Sequence, residues 1–218
     1  MRTKQNQAAW AALISMFGLC GPAQAQLLVN GGFEASSSNF VTPTSWFNIG
    51  HTEGVLRYEQ VPTQPVAEGL NFYTIGGVSS NGFANIGEGI GQTFATLAGA
   101  SYRVSYSYSG ENVPGAATET LRVSAAGAFI DHVLVPTGSP VFTRPWTAAT
   151  LNFTATGSTT TLSFILSGGI GQLGNNDPMI DAVSVVLTAV PEPATSATLL
   201  AGVLVLAAVR RQVIRAQT

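Results

Sequence analysis

The chain has 218 residues, of which only 9% are charged and 45% are hydrophobic, and its formal charge is −2 at neutral pH. That value conceals an uneven split: between Gln26 and Val190, ten acids stand against four arginines and no lysine. Such a stretch excludes a nucleic-acid binder, which needs a basic patch to displace counterions from phosphates, and its plentiful Phe, Tyr, Val, Leu and Ile exclude disorder.

Residues 1–25 read as a signal peptide. Arg2 and Lys4 form a basic n-region, Ala8 to Leu19 an apolar core, and Ala23-Gln24-Ala25 a small-x-small cleavage box. The mature chain is expected to begin at Gln26. Cys20 is the sole cysteine of the chain and lies in this leader. A lipid-attachment box wants a small residue before the cysteine, and Leu19 stands there, so Cys20 reads as filler. The mature chain then has no disulfide and depends on its core.

Residues 26–188 suit one domain with a self-sufficient core. Their periodicity is two. In Ser101-Tyr102-Arg103-Val104-Ser105-Tyr106-Ser107-Tyr108 the even positions are aromatic or Val and the odd ones mostly polar, which predicts a strand with one buried face. Leu151–Thr154 and Thr161–Leu166 repeat the pattern around a Gly-Ser turn. Further strands are predicted at Leu27–Asn30, Val55–Gln60, Asn71–Ile75, Gly91–Ala95, Glu119–Ser124, Ala128–Leu134 and Ala182–Leu187. Gly, Pro, Asn and Ser punctuate the gaps, and no amphipathic helix is evident. About ten short strands in one domain predict an all-β, two-sheet jelly-roll sandwich.

Residues 189–218 form a device of three parts. Val190-Pro191-Glu192-Pro193 blocks any helix from running backwards. Ala194 to Val209 is an apolar run able to enter lipid as a single transmembrane helix. Arg210, Arg211 and Arg215 hold its end on the cytoplasmic side. Its 16 residues would span about 24 Å as a helix, short of the ~30 Å hydrocarbon core, which suits a brief anchor.

This tail resembles the PEP-CTERM sorting signal of Gram-negative bacteria. The resemblance implies an exosortase as processing partner and an exported protein, transiently anchored in the inner membrane and then at the cell surface or outside the cell. A second resemblance rests on ordered landmarks: Asn30-Gly31-Gly32-Phe33-Glu34, then Trp46, Glu68-Gly69-Leu70-Asn71-Phe72, Ile90-Gly91-Gln92-Thr93-Phe94, and Pro178-Met179-Ile180-Asp181-Ala182-Val183. Their order resembles the galactose-binding-like jelly rolls, especially the choice-of-anchor C group, and is similar to carbohydrate-binding modules of that fold. The chain departs from the pattern at Ala182, where many relatives carry a second acid, and at Gly32.

That resemblance implies a structural Ca²⁺ between the first and last strands, with Glu34 and Asp181 as its ligands. Strand parity adds an independent expectation: Asp181 shares parity with Val183, Val185 and Leu187 and should point toward the core. A carboxylate there needs a cation or several donors, and Ca²⁺ suits oxygen ligands; a strand-capping Asp, or one paired with an arginine, is the alternative. Loop aromatics are the candidate sugar platforms, namely Trp46, Tyr58, Tyr73 and Trp146, because pyranose C–H faces stack on π-surfaces; for Trp46, which lies near the early landmarks, a plug of the sandwich is a stronger alternative than for Trp146. Tyr102, Tyr106 and Tyr108 read as core.

Catalysis finds no motif. Asp131 and His132 are neighbours on one strand and point to opposite faces. No Gly-x-Ser-x-Gly elbow occurs, and Gly169-Ile170-Gly171-Gln172-Leu173-Gly174 lacks the strand–helix context of a dinucleotide site. The sequence therefore predicts a non-catalytic exported protein that binds an extracellular polysaccharide. A purely structural or adhesive surface protein and a glycan hydrolase are the alternatives.

Overall fold

A computed structural model of the chain describes residues 26–36, 41–50, 55–57, 65–76, 85–137, 145–169 and 176–190. The proposed signal peptide, Tyr58, and the tail from Pro191, with Arg210 and Arg211, lie outside them.

The described residues contain ten strands: β1 (Phe47–Ile49), β2 (Val55–Arg57), β3 (Asn71–Thr74), β4 (Gly89–Ala95), β5 (Ser101–Gly110), β6 (Glu119–Ala125), β7 (Ala128–Leu134), β8 (Thr147–Thr154), β9 (Thr159–Gly168) and β10 (Pro178–Ala189). They form two five-stranded sheets, ordered β1-β4-β9-β6-β7 and β2-β3-β10-β5-β8. All the pairings are antiparallel. The chain is an all-β two-sheet sandwich, as its period-two patterning predicts.

Alternation sets the core. On β6, Leu121, Val123 and Ala125 are buried; on β9, Leu162, Phe164 and Leu166 are; on β5, Tyr102, Val104 and Tyr106 are. These inner faces meet in one cluster that also takes in Phe33, Tyr73, Ile180 and Val185. Burying apolar area at about 25 cal/mol per Å² is the main force that holds the sheets together. Ring contacts knit them: Tyr102 stacks on Phe153 at 5.2 Å, and Tyr106 meets Phe164 edge-on at 5.4 Å.

Two sequence expectations change. Leu27–Asn30 is not a strand, although Leu27 N–H donates to Val185 O at 3.1 Å and ties the segment to β10. Asn30 takes a positive φ of 57°, which ends extended pairing there. β1, meanwhile, goes unmarked in the sequence because its three residues, Phe47-Asn48-Ile49, are too few to show alternation.

A small second cluster lies outside the main core, where Phe72 and Met179 are buried under Val66 and Trp146. Met179 pairs with Thr74 and with Ser109, so this cluster sits on the outer face of the second sheet. Residues 65–70 form a strap over that end of the face.

Candidate functional site

The outer face of the second sheet can be read from its register. On β5 and β8, Ser101 pairs with Thr154, Arg103 with Asn152, Ser105 with Thr150 and Ser107 with Ala148. On β10, Ser184 pairs with Ser105 and Val186 with Arg103. Directly opposed residues share a face, so these side chains lie together, opposite the Tyr102, Val104 and Tyr106 face. All of them except Ser184 and Val186 line two consecutive shallow recesses. One, of about 400 Å³, is bordered by Ser105, Ser107, Ala148, Thr150 and Ala182. The next, of about 480 Å³, is bordered by Ser101, Arg103, Asn152, Thr154 and Thr188. Among the described residues, Ser105, Ser107, Thr150 and Ser184 have no hydrogen bond from their hydroxyls to protein.

Asp181 closes one end of this groove. Its partner Ser107 is on the outer face, so Asp181 points outward and not into the core between the sheets. The expectation from strand parity is wrong here. A β-bulge between Asp181 and Ser184 adds one residue, and Ala182 takes a φ of 52° to accommodate it. One extra residue reverses the parity of everything before it. Asp181 is nevertheless fully buried, because the strap covers it. Its Oδ2 accepts the N–H groups of Ala67 (2.8 Å) and Glu68 (2.9 Å), and its Oδ1 accepts Ala182 N–H at 2.6 Å. Burial pushes its pKa up to about 7, against the pull of those three amides.

Glu34 holds the other half of the strap. Its Oε1 accepts the N–H groups of Leu70 (2.8 Å) and Asn71 (2.9 Å). The two predicted ligands thus converge on one segment, Ala67–Asn71. Asn71 donates to Phe33 O at 3.2 Å, while its own Oδ1 is buried without a partner. Among the described residues no three His, Cys, Asp or Glu side chains form a metal-holding group. A cation here would therefore draw on amide and backbone oxygens beside Glu34 and Asp181.

The predicted sugar platforms separate sharply. Trp46 is 6% exposed, wedged between Phe33 and Phe164, and donates its indole N–H to Asn30 O at 2.9 Å. It is a plug of the sandwich and offers no face to a sugar. Tyr73 is fully buried in β3, 5.7 Å from Phe33, because its strand parity turns it into the core; it too is no platform. Tyr58 lies outside the described residues. Trp146 alone is half-exposed. It stands edge-on to Phe72 at 5.7 Å, with its indole N–H donated to Pro65 O. It is positioned at the strap end of the outer face.

Elsewhere, alternation parts Asp131 from His132 as expected. Asp131 faces outward and takes a bidentate pair from Arg122, at 2.8 and 2.7 Å. His132 turns inward to Tyr106, Nε2 to hydroxyl 2.6 Å, and stacks on Tyr108 at 4.0 Å. Burial lowers its pKa and raises that of Tyr106.

One acidic cluster escapes the sequence reading. Glu111, Glu119 and Asp177 are all buried at one end of the sandwich. Glu111 N–H donates to Asp177 O at 3.3 Å, and Asn112 and Asn176 stitch the neighbouring loops by a bond of 3.0 Å. Burial, reinforced by repulsion between the carboxyls, raises the pKa values of Glu111 and Asp177; burial raises that of Glu119 to about 7. Glu119 Oε2 is buried without a partner. The available signal is Glu119 itself, an acid on the apolar parity of Leu121 and Val123.

With the geometry in place, comparison identifies the family. A family model described as a protein of unknown function, DUF642, matches residues 72–186, more than half of the chain. The chain belongs to the DUF642 family. The match runs from β3 into β10 and contains the groove residues apart from Thr188. No curated protein matches. Among solved structures, this DUF642 chain is similar to the Stig cyclase Fisc from Fischerella sp. TAU, solved in complex with (3Z)-3-(1-methyl-2-pyrrolidinylidene)-3H-indole. Identity is 17% and TM-score 0.54, over 78% of this chain and 100% of that one. It is also similar to the N-terminal CBM22-1–CBM22-2 tandem domain of Xyn10C from Paenibacillus barcinonensis, at 12% identity and TM-score 0.50, over 77% of this chain and 47% of that one. TmCBM61, solved in complex with beta-1,4-galactotriose, follows at 16% identity and TM-score 0.49, over 75% of this chain and 99% of that one. The first two likenesses show a shared two-sheet β fold.

Proposed function

We propose that this protein is an exported, non-catalytic surface or extracellular-matrix protein that binds a polysaccharide along the outer face of its second sheet. The observation that carries the reading is the row of hydroxyls on that face, Ser105, Ser107, Thr150 and Ser184, which have no protein partner among the described residues; the first three line the recess of about 400 Å³, and Ser184 pairs with Ser105 beside it. A hydroxyl both donates and accepts, so such a face matches the hydroxyls of a sugar chain. Trp146 supplies the aromatic edge at the strap end. The test is a glycan array probed with the full chain: a polysaccharide ligand whose signal falls for Trp146→Ala supports the reading, and an array with no ligand overturns it.

The sorting proposal rests on the sequence of the tail. β10 ends at Ala189, and Val190 is exposed beside it, so the Val190-Pro191-Glu192-Pro193 stretch begins just where sheet pairing stops. An exosortase would need open backbone across that motif. The protein is then held briefly in the inner membrane and delivered to the cell surface or beyond. Replacing Pro191 and Pro193 should leave uncut precursor in the membrane fraction.

A structural Ca²⁺ is a further part of the proposal. Glu34 and Asp181 would hold it with Asn71 Oδ1, the orphaned oxygen that favours a hard cation. It would supply a cross-link between the Glu34 loop, the strap and β10. Ca²⁺ binding to the native state at a hundredfold excess over Kd stabilises by about 2.7 kcal/mol, so chelation should lower the melting temperature by several degrees. An unchanged melting curve would remove Ca²⁺ from the account and leave the amide-held strap in place.

A further inference from the structure

Arg103 differs from the rest of the groove. It stands on the outer face, paired across the sheet with Asn152 and Val186. Its strand and the two beside it, β8 and β10, carry one other charged residue, Asp181, and that one is buried under the strap. The exposed groove is therefore uncharged apart from one guanidinium. Its Nε–H donates to Asn152 Oδ1 at 3.4 Å, and among the described residues its terminal nitrogens have no partner. Arg122 on the other sheet shows the opposite state: its fork is spent on Asp131, and its guanidinium lies 4.4 Å over the Phe129 ring.

Resting on the polysaccharide reading above, we propose that Arg103 and Asn152 form an acid-sugar subsite, so that the groove takes a linear polyuronate with one carboxylate seated on Arg103. The chemistry is that of a planar fork meeting a planar carboxylate, which forms two parallel charge-assisted bonds. Asn152 orients the fork by holding Nε, which leaves the terminal donors available to a ligand in the recess of about 480 Å³ that both residues line. A domain with net negative charge repels polyanions over most of its surface. One unpaired cation at the centre of an otherwise neutral groove sets where such a chain can lie. From Ser101 to Ser107 the two recesses run about 20 Å along the strands, enough for several sugar rings in an extended chain.

The test measures the affinity of the purified full chain for alginate, for carboxyl-reduced alginate of the same length, and for dextran sulfate. The proposal expects alginate to bind ten- to a hundredfold more tightly than its carboxyl-reduced form, about the strength of hydrogen bonds to a charged group. Arg103→Gln should bring the affinity for alginate down to that for the reduced polymer. Arg103→Lys should recover only part of the loss, because a point charge lacks the fork. Arg122→Gln, on the other sheet, should leave alginate binding where it was. Equal wild-type affinity for the two alginates would overturn the acid-sugar subsite and leave the polysaccharide reading standing. Equal, Arg103-dependent affinity for dextran sulfate would overturn the choice of carboxylate. Binding of none of the three polymers, on a chain whose glycan array is also blank, would overturn both.

Discussion

The outer faces of the two sheets both carry serines, threonines and an arginine, and differ in how those polar groups are used. On the first sheet the polar groups satisfy one another: Thr93 bonds Thr161 and Ser124 bonds Ser163, each at 2.7 Å, and Arg122 pairs with Asp131. On the second sheet Ser105, Ser107, Thr150 and Ser184 stand without protein partners, and Arg103 keeps most of its donors free. A count of hydroxyls and arginines alone does not separate the faces. What separates them is closure: a self-satisfied face offers a ligand little beyond the water it already holds, whereas an unsatisfied one exchanges water for ligand without breaking protein bonds. The bulge at Ala182 and the strap held by Asp181 and Glu34 give the second face its end wall.

The largest expected effect comes from breaking the segment that packs beside the bulge. A Cβ on Gly31 would stand 1.8 Å from the carbonyl oxygen of Val183, the residue after Ala182, whereas one on Gly32 would meet nothing nearer than 3.8 Å. Gly31→Ala should cost about 3 kcal/mol or more, since backbone must move, and Gly32→Ala far less; chemical denaturation of the two variants decides it. A comparable loss for both would mean that the close approach is not what fixes this end.

Next is the strap. Asp181→Ala strands the N–H groups of Ala67, Glu68 and Ala182, at about 3 kcal/mol. It should also raise proteolytic cutting between residues 65 and 70. If the strap stays protected, Asp181 does not hold it.

The acidic end sets a pH dependence. Folding raises the pKa values of Glu111, Glu119 and Asp177 above their ordinary values, so the folded state binds more protons than the unfolded one through that range. Their contribution is fully present below the ordinary carboxylate range near pH 4. It fades as pH rises through about 7 for Glu119, and Asp181, also raised to about 7, acts in the same sense. The melting temperature should therefore fall from mildly acidic to alkaline pH, and Glu119→Gln should flatten the slope. A melting temperature that rises over that interval would contradict the burial argument. The smallest effect is expected at Arg122→Gln, where the pair is exposed and solvent-screened; its melting curve should overlay the wild type.

Much of this architecture is legible in the chain because period two survives wherever strands pair regularly. Ser101–Tyr108, Ala128–Leu134 and Thr161–Leu166 fall within or upon β5, β7 and β9. Legibility fails where a single residue changes parity or where contact joins distant segments. The bulge at Ala182 sends Asp181 to the outer face, a shift invisible without the partner strand. Tyr73 reads as a loop aromatic, yet neighbouring Phe33 draws it into the core, whereas Trp46 plugs the sandwich as its place among the early landmarks suggests. Glu111, Glu119 and Asp177 meet only because three chain segments converge at one end. The groove was the least legible feature, since its hydroxyls are ordinary strand residues whose meaning comes from having no partner.

The most direct test of the central claim is affinity electrophoresis of the full chain through gels carrying the polysaccharide identified on the array, with paired double variants of the two faces. The account predicts that Ser105→Ala with Thr150→Ala abolishes retardation, while Ser124→Ala with Ser163→Ala retains it. Retardation lost from the first-sheet pair and kept by the second-sheet pair would contradict it.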